Sequence, residues 1–386
     1  MRAVRAAITC ALVLAGCQKE ADNKPGGKDA AETGEAYVPD YDGSTCRGDF
    51  VWTSWSDRSQ NGVVDATVAL PDGRSFLMTV EAQQSGIVTM ASAAVSPDGQ
   101  LVYTWDDWNN TEQNYSYAVY PETAVATLNY PVRDSDVPYT GGTWEIELFT
   151  LDGTGDYIDN VPVDIRVYVA QDDTLSGGCV FVRLVYAGGT GDDPAVTDAV
   201  ERAVARWSQV WAAHGLKLIP TGTASSRLDA DIPSPRAGHD DYADLSEDSD
   251  AILQVVIGET IDGETALGES GSIPGSLAAT PYSAVAISWL AHAGVDGVFS
   301  DAEVRTMGET MAHEASHYLG LFHPVELSGD TPRSYDALDD TPACTSRDDC
   351  DELLGRNLMY PYATDDDQDE LSSGQVGVLN LWTGTQ

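Results

Sequence analysis

The chain has 386 residues, with 62 acidic side chains against 20 basic ones and a formal net charge of −42. So acidic a surface repels phosphate, which excludes nucleic acid as a partner. The length exceeds what a single apolar core usually organises and points to more than one domain.

The first 17 residues, "MRAVRAAITCALVLAGC", place Arg2 and Arg5 before an apolar run from Ala6 to Ala15. That run is too short to span a bilayer and has the layout of a secretory signal peptide. Its end, "LAGC", resembles the bacterial lipobox, in which cleavage precedes a cysteine that then carries lipid. The resemblance implies lipidation of Cys17 and attachment to a membrane through that anchor. Gln18 in the next position implies the outer membrane of the cell envelope, with an extracellular location as the alternative. Loss of residues 1–17 removes two arginines and no acid, which takes the charge from −42 to −44. Residues 18–44 lack apolar periodicity and read as a solvated linker.

From 45 to 178 the apolar period is two. Runs such as "VVDATVAL", "FLMTVEA", "GTWEIELFTL" and "VDIRVYVA" alternate with turns such as "PDGR" and "SPDGQ". This pattern predicts an antiparallel β-sandwich. With Cys10 in the leader and Cys17 lipidated, four cysteines remain, and an even count in an exported chain implies two disulfides. Proximity favours Cys344–Cys350, which leaves Cys46–Cys179. None has CxxC spacing, which argues against a cysteine zinc site.

Residues 179–386 read as an α/β unit with a mixed sheet. "CVFVRLVYAG" is an apolar run of the buried-strand type. Val196, Val200, Val204, Trp207, Val210 and Trp211 then recur at helical spacing, and Gly215 closes that helix. "GLKLIPTG", "DAILQVVIGE" and "YSAVAISW" are further strands. The acidic runs 244–250 and 364–370 read as solvated surface, and either offers the oxygen ligands that Ca2+ takes.

Three of the six histidines fall within residues 313–323, in "MAHEASHYLGLFHP" (311–324). Ser300 and Glu303 form a capping box at a helix start, and Val304, Met307, Met311, Ala315 and Tyr318 make its apolar stripe. His313 and His317, four apart, share a helix face and can bind one ion. Gly320 permits the chain to turn back, so that His323 supplies a third ligand. Three protein ligands and one open position suit catalytic zinc, with Glu314 within reach of a water there.

The spacing HExxHxxGxxH is the signature of the metzincin zinc metalloproteases, and this chain resembles it at every fixed position. Gly320 and His323 make a chance match rarer by roughly a thousandfold than HExxH alone. "HYLGLFH", "DDTPAC" and "NLMYPY" resemble the pappalysin family in particular. The resemblance implies a zinc endopeptidase with Glu314 as general base, and a Met-turn at Met359. Where some metzincins carry a tyrosine two residues beyond that methionine, this chain has Pro361. Tyr360 and Tyr362 flank it as candidates for oxyanion or substrate contact. The segment 281–289 is expected as the edge strand that cradles an extended peptide. The alternative is a catalytically silent, metzincin-like binding lipoprotein.

Overall fold

The computed structural model describes residues 46, 49–104, 117–119, 124–137, 139–171, 173, 175–247, 252–293 and 297–386. The leader, the linker and the proposed lipid site Cys17 lie outside the described residues.

The strands of the N-terminal part are β1 (Phe50–Arg58), β2 (Val63–Leu70), β3 (Phe76–Ala82), β4 (Ile87–Val95), β5 (Leu101–Thr104), β6 (Tyr117–Val119), β7 (Val125–Tyr130), β8 (Gly142–Asp152) and β9 (Pro162–Ala170). They form two antiparallel sheets, ordered β1-β9-β3-β7-β6 and β2-β8-β4-β5. Alternation produces the packing. Along β2, buried residues are every second one from Val64, and the residues between are exposed. Val64 and Val68 of β2 and Trp144 and Ile146 of β8 enter one apolar cluster with Phe76 and Val80 of β3 and Ile165 of β9. Both sheets therefore bury one face in a shared core.

The chain continues as β10 (Gly178–Tyr186), helix α1 (Pro194–Ala213), β11 (Leu216–Ser225), β12 (Asp231–Ile232), α2 (Asp240–Glu247), β13 (Leu253–Gly258), β14 (Thr260–Ile261), β15 (Gly268–Ser270), β16 (Val285–Ser288) and α3 (Trp289–Ala293). The long helix α4 (Asp301–Tyr318), the hairpin β17 (Val325–Ser328) and β18 (Thr331–Tyr335), and helices α5 (Arg347–Leu354) and α6 (Ser373–Leu381) follow. The main sheet has the order β11-β10-β13-β16-β15. The first four strands are parallel, and β15 is an antiparallel edge. This corrects the expectation for 281–289. Its strand, β16, pairs on both sides and lies inside the sheet, whereas the edge on that side is the three-residue β15. The all-apolar run "AVAI" is what a strand buried on both faces requires.

All six predicted apolar residues of α1 are buried, and Asp193 caps it by accepting from the Ala195 amide at 2.8 Å. One sheet face packs against α1 and α4 through Val182, Val255, Ile287, Trp207, Trp211, Met307 and Met311. The opposite face meets α2, where Tyr242 is fully buried. Part of the run read as solvated acid, 244–247, thus belongs to a helix.

Gly308 explains how close α1 and α4 come. A β-carbon there would sit 2.5 Å from the Ala203 carbonyl oxygen and 2.7 Å from Arg206 Cβ. Backbone cannot yield cheaply, so Gly308→Ala is expected to destabilise the chain by about 1–3 kcal/mol. That is the opposite sign to the gain of up to about 1 kcal/mol that alanine brings to an exposed helix. Denaturant unfolding of the variant checks the sign.

The two parts share apolar contacts. Leu77 and Tyr168 from the first sheets, and Val132 just after β7, belong to the same cluster as α1 and α4. Thr79 and Ser276 hydrogen-bond at 2.9 Å, and Asn129 Oδ1 accepts from the Thr383 amide at 2.9 Å. Disulfides join Cys46 to Cys179 and Cys344 to Cys350. Such bonds persist in oxidising compartments, which fits an exported protein.

Candidate metal centre

The site is built on α4. Ser300 Oγ accepts from the Glu303 amide, and Glu303 Oε2 accepts from the Ser300 amide at 2.8 Å, so two free donors of the first turn are satisfied. From Met307 to Tyr318 every residue is buried. Ser316 accepts from the Trp211 indole at 3.3 Å, which ties the motif to α1. The helix ends at Tyr318. Gly320 then takes φ +110°, in the left-handed half of backbone space, and the chain turns back toward the helix.

That turn brings three rings together. His313 Nε2 and His323 Nε2 are 3.2 Å apart, and His317 Nε2 and His323 Nε2 are 3.1 Å apart. The other nitrogen of each ring is committed elsewhere. His313 Nδ1 donates to the Leu358 carbonyl and His317 Nδ1 to the Leu321 carbonyl, both at 2.6 Å. His323 Nδ1 donates to Glu326 Oε1 at 2.8 Å. A carbonyl or carboxylate only accepts, so each Nδ1 carries the proton and each Nε2 presents a lone pair. Three lone pairs facing one another, all on residues at most 2% exposed, repel unless a cation lies between them. Tetrahedral zinc with nitrogen ligands spaces those nitrogens about 3.3 Å apart, so the donor set fits that ion.

Electrostatics agree with neutral rings. Burial first, and the His323 ring second, push His313 down to about 3, and burial holds His317 well below its usual 6.5. Glu314 is 1% exposed, and burial pushes its carboxyl up to about 8. Arg236 and the Ser270 amide oppose that rise, while Glu269 adds to it. Glu314 Oε2 is buried and has no hydrogen-bond partner among the described residues. A vacant acceptor of that kind calls for a donor from water or ligand.

These shifts set how the centre contributes to acid stability when no metal is bound. As pH falls below 6.5 the unfolded chain protonates His313 and His317, whereas burial in the folded chain resists protonation of both, His313 down to about 3. The folded chain keeps the Glu314 proton, which the unfolded chain has released. Of the three groups at this centre, the two depressed imidazoles lower stability on acidification and the raised Glu314 offsets part of that fall. Above 6.5 only Glu314 contributes, and its stabilising share is lost as pH rises toward 8. A stability maximum near pH 6.5 is expected from denaturant midpoints. A midpoint rising steadily from pH 5 to 8 would contradict it.

Around this centre the edge strand comes close to the glutamate. A β-carbon on Gly268 would lie 2.7 Å from Glu314 Cγ and 2.9 Å from Thr310 Cγ2. Arg236 Nε donates to the Ser270 carbonyl at 3.3 Å and lies 3.5 Å from Glu269. Met359 is fully buried in the core that holds Met307 and Met311, and it directly follows Leu358, whose carbonyl orients His313. The Tyr360 hydroxyl donates to Asp351. Tyr362 lies under the Arg347 guanidinium, 4.0 Å from its ring centre.

Sequence reasoning missed Glu326, Arg236, Glu269 and Gly268. None belongs to the motif, and Arg236 joins through a loop far away in the chain. Among the described residues no second trio of metal-binding side chains converges. Three of the five acids of 364–370 meet arginines instead. Asp367 pairs with Arg305 at 2.8 Å, Asp369 with Arg206 at 2.9 Å, and Glu370 with Arg356 at 2.7 Å. Residues 248–250 of the other acidic run lie outside the described residues.

No family model and no curated protein matches the chain by sequence. Among solved structures, metalloproteinase-II from Bacteroides fragilis is 12% identical at TM-score 0.31, over 53% of this chain and 53% of that one. This chain thus spans about half of that protein. Archaemetzincin from Methanopyrus kandleri is 14% identical at TM-score 0.27, over 54% of this chain and 89% of that one. The infectious bursal disease virus structure (Gx strain) is 15% identical at TM-score 0.21, over 33% of each chain. Superpositions this loose carry no functional weight.

Proposed function

We propose that the chain is a zinc-dependent endopeptidase of metzincin type, closest in motif to the pappalysins. In this reading a β-sandwich accessory domain (45–178) precedes the catalytic domain (179–386). The protein is exported and held at the cell envelope by lipid on Cys17. One observation carries the catalytic part: three imidazole lone pairs converge while every Nδ1 is committed to an acceptor.

His313, His317 and His323 would hold the zinc. When bound, the ion supplies Lewis acidity, polarising a peptide carbonyl and acidifying a water. The chain does the rest. Glu314 takes a proton from the attacking water on its unpaired Oε2 and delivers it to the departing amine nitrogen. Burial of the four side chains keeps bulk water from competing.

The test is elemental analysis of residues 18–386 together with cleavage of an unstructured protein, with and without chelator. One zinc per chain and cleavage that stops on chelation are expected. One zinc without cleavage favours the silent binding lipoprotein, and no zinc overturns the reading.

A further inference from the structure

We infer that Glu326 is a positioning residue for the metal centre, holding His323 in its ligating tautomer and setting the affinity for zinc. The inference rests on the zinc reading and extends it to a residue outside the motif.

The three ligand rings are oriented in two different ways. His313 and His317 sit on α4 and donate to main-chain carbonyls, those of Leu358 and Leu321. His323 lies past Gly320, where the helix has ended, and its Nδ1 meets a side-chain carboxylate instead. Glu326 Oε1 accepts from that Nδ1 at 2.8 Å, with the His323 side chain 1% exposed and the Glu326 side chain 20% exposed. The carboxylate is itself well placed. Glu326 lies on β17, opposite Ser334 of β18, and the preceding Val325 is fully buried beside the Cys344–Cys350 disulfide and Leu354. A hairpin pinned in that way leaves Glu326 little freedom to leave the ring.

A carboxylate behind an imidazole does more than a carbonyl. It fixes the proton on Nδ1, frees Nε2 and makes that nitrogen a stronger donor to a cation. It also brings a full negative charge to a centre whose three ligands are otherwise neutral. Loss of such a partner typically weakens metal binding by about 10–100-fold.

The experiment uses chelator-stripped residues 18–386, titrated with zinc ion against a chromophoric chelator. Glu326→Ala is expected to weaken zinc binding by about 10–100-fold. Glu326→Gln should fall between the alanine variant and the wild type, because its amide oxygen accepts the same hydrogen bond without the charge. The metal-free melting temperature is measured alongside. A merely structural glutamate would lower the melt and leave the affinity alone. Should the alanine variant fail to fold, the isosteric glutamine variant decides. Both variants binding within twofold of the wild type overturns the inference while the zinc reading stands. A wild-type chain that takes up no zinc overturns both.

Discussion

Replacing Glu314 by glutamine is expected to lower kcat/KM for peptide cleavage by about 10²- to 10⁴-fold while leaving one zinc bound per chain. The amide keeps the shape and volume of the carboxyl but cannot take a proton from water. Zinc should be retained because the proposed ligands are His313, His317 and His323, whose Nδ1 partners do not include Glu314. Stability gives a second signature. Glu314 is 1% exposed and its charged form is disfavoured by burial, so a neutral amide relieves that penalty. The variant should unfold at the same or a higher denaturant concentration at pH 8, and lose activity all the same. Paired measurements of metal content, turnover and unfolding midpoint check this. A variant that keeps more than a tenth of the wild-type rate would exclude Glu314 as the base.

The largest expected change in stability comes from the disulfide between Cys46 and Cys179. It closes 133 residues, whereas Cys344–Cys350 closes only 6. In the chain-entropy account a loop of the first size contributes about 5 kcal/mol and one of the second about 2 kcal/mol. Serine at both Cys46 and Cys179 should therefore lower the unfolding midpoint more than serine at both Cys344 and Cys350. The sheets should stay docked on the α/β part in either case. Leu77, Val132 and Tyr168 are buried in the common core, and the Thr79–Ser276 and Asn129–Thr383 hydrogen bonds do not depend on the disulfide. Equal midpoints for the two variants would mean that the unfolded chain is already compact enough to hold the long loop closed.

The centre was partly legible because its main parts are local in the chain. The capping box at Ser300, the four-residue step from His313 to His317 and the glycine at 320 are written within 24 residues, and each has one physical reading. What stayed hidden was carried by groups that leave no local trace. The Leu358 and Leu321 carbonyls orient two ligands, and a main-chain carbonyl looks the same at every position. Glu326 sits in "VELS", where nothing marks one acid among 62. The edge strand was misplaced because "YSAVAISW" has the stronger β-signal, and that strength is the mark of an interior strand. The true edge, "GES", contains a glycine because Glu314 comes close there. Helix α2 was masked by its own charges, with Tyr242 as its one buried residue.

The stretch from Met307 to Tyr318 is buried without a break, so the helix that bears the proposed base and two of the proposed ligands is also the keel of the fold. In a library of random variants, most inactive clones from this stretch will be insoluble or degraded chains. Few will be intact proteins that have lost only their chemistry. Selection on activity alone will therefore outline a site as wide as the whole helix. Soluble yield scored on the same clones should shrink that outline to Glu314 and the three histidines.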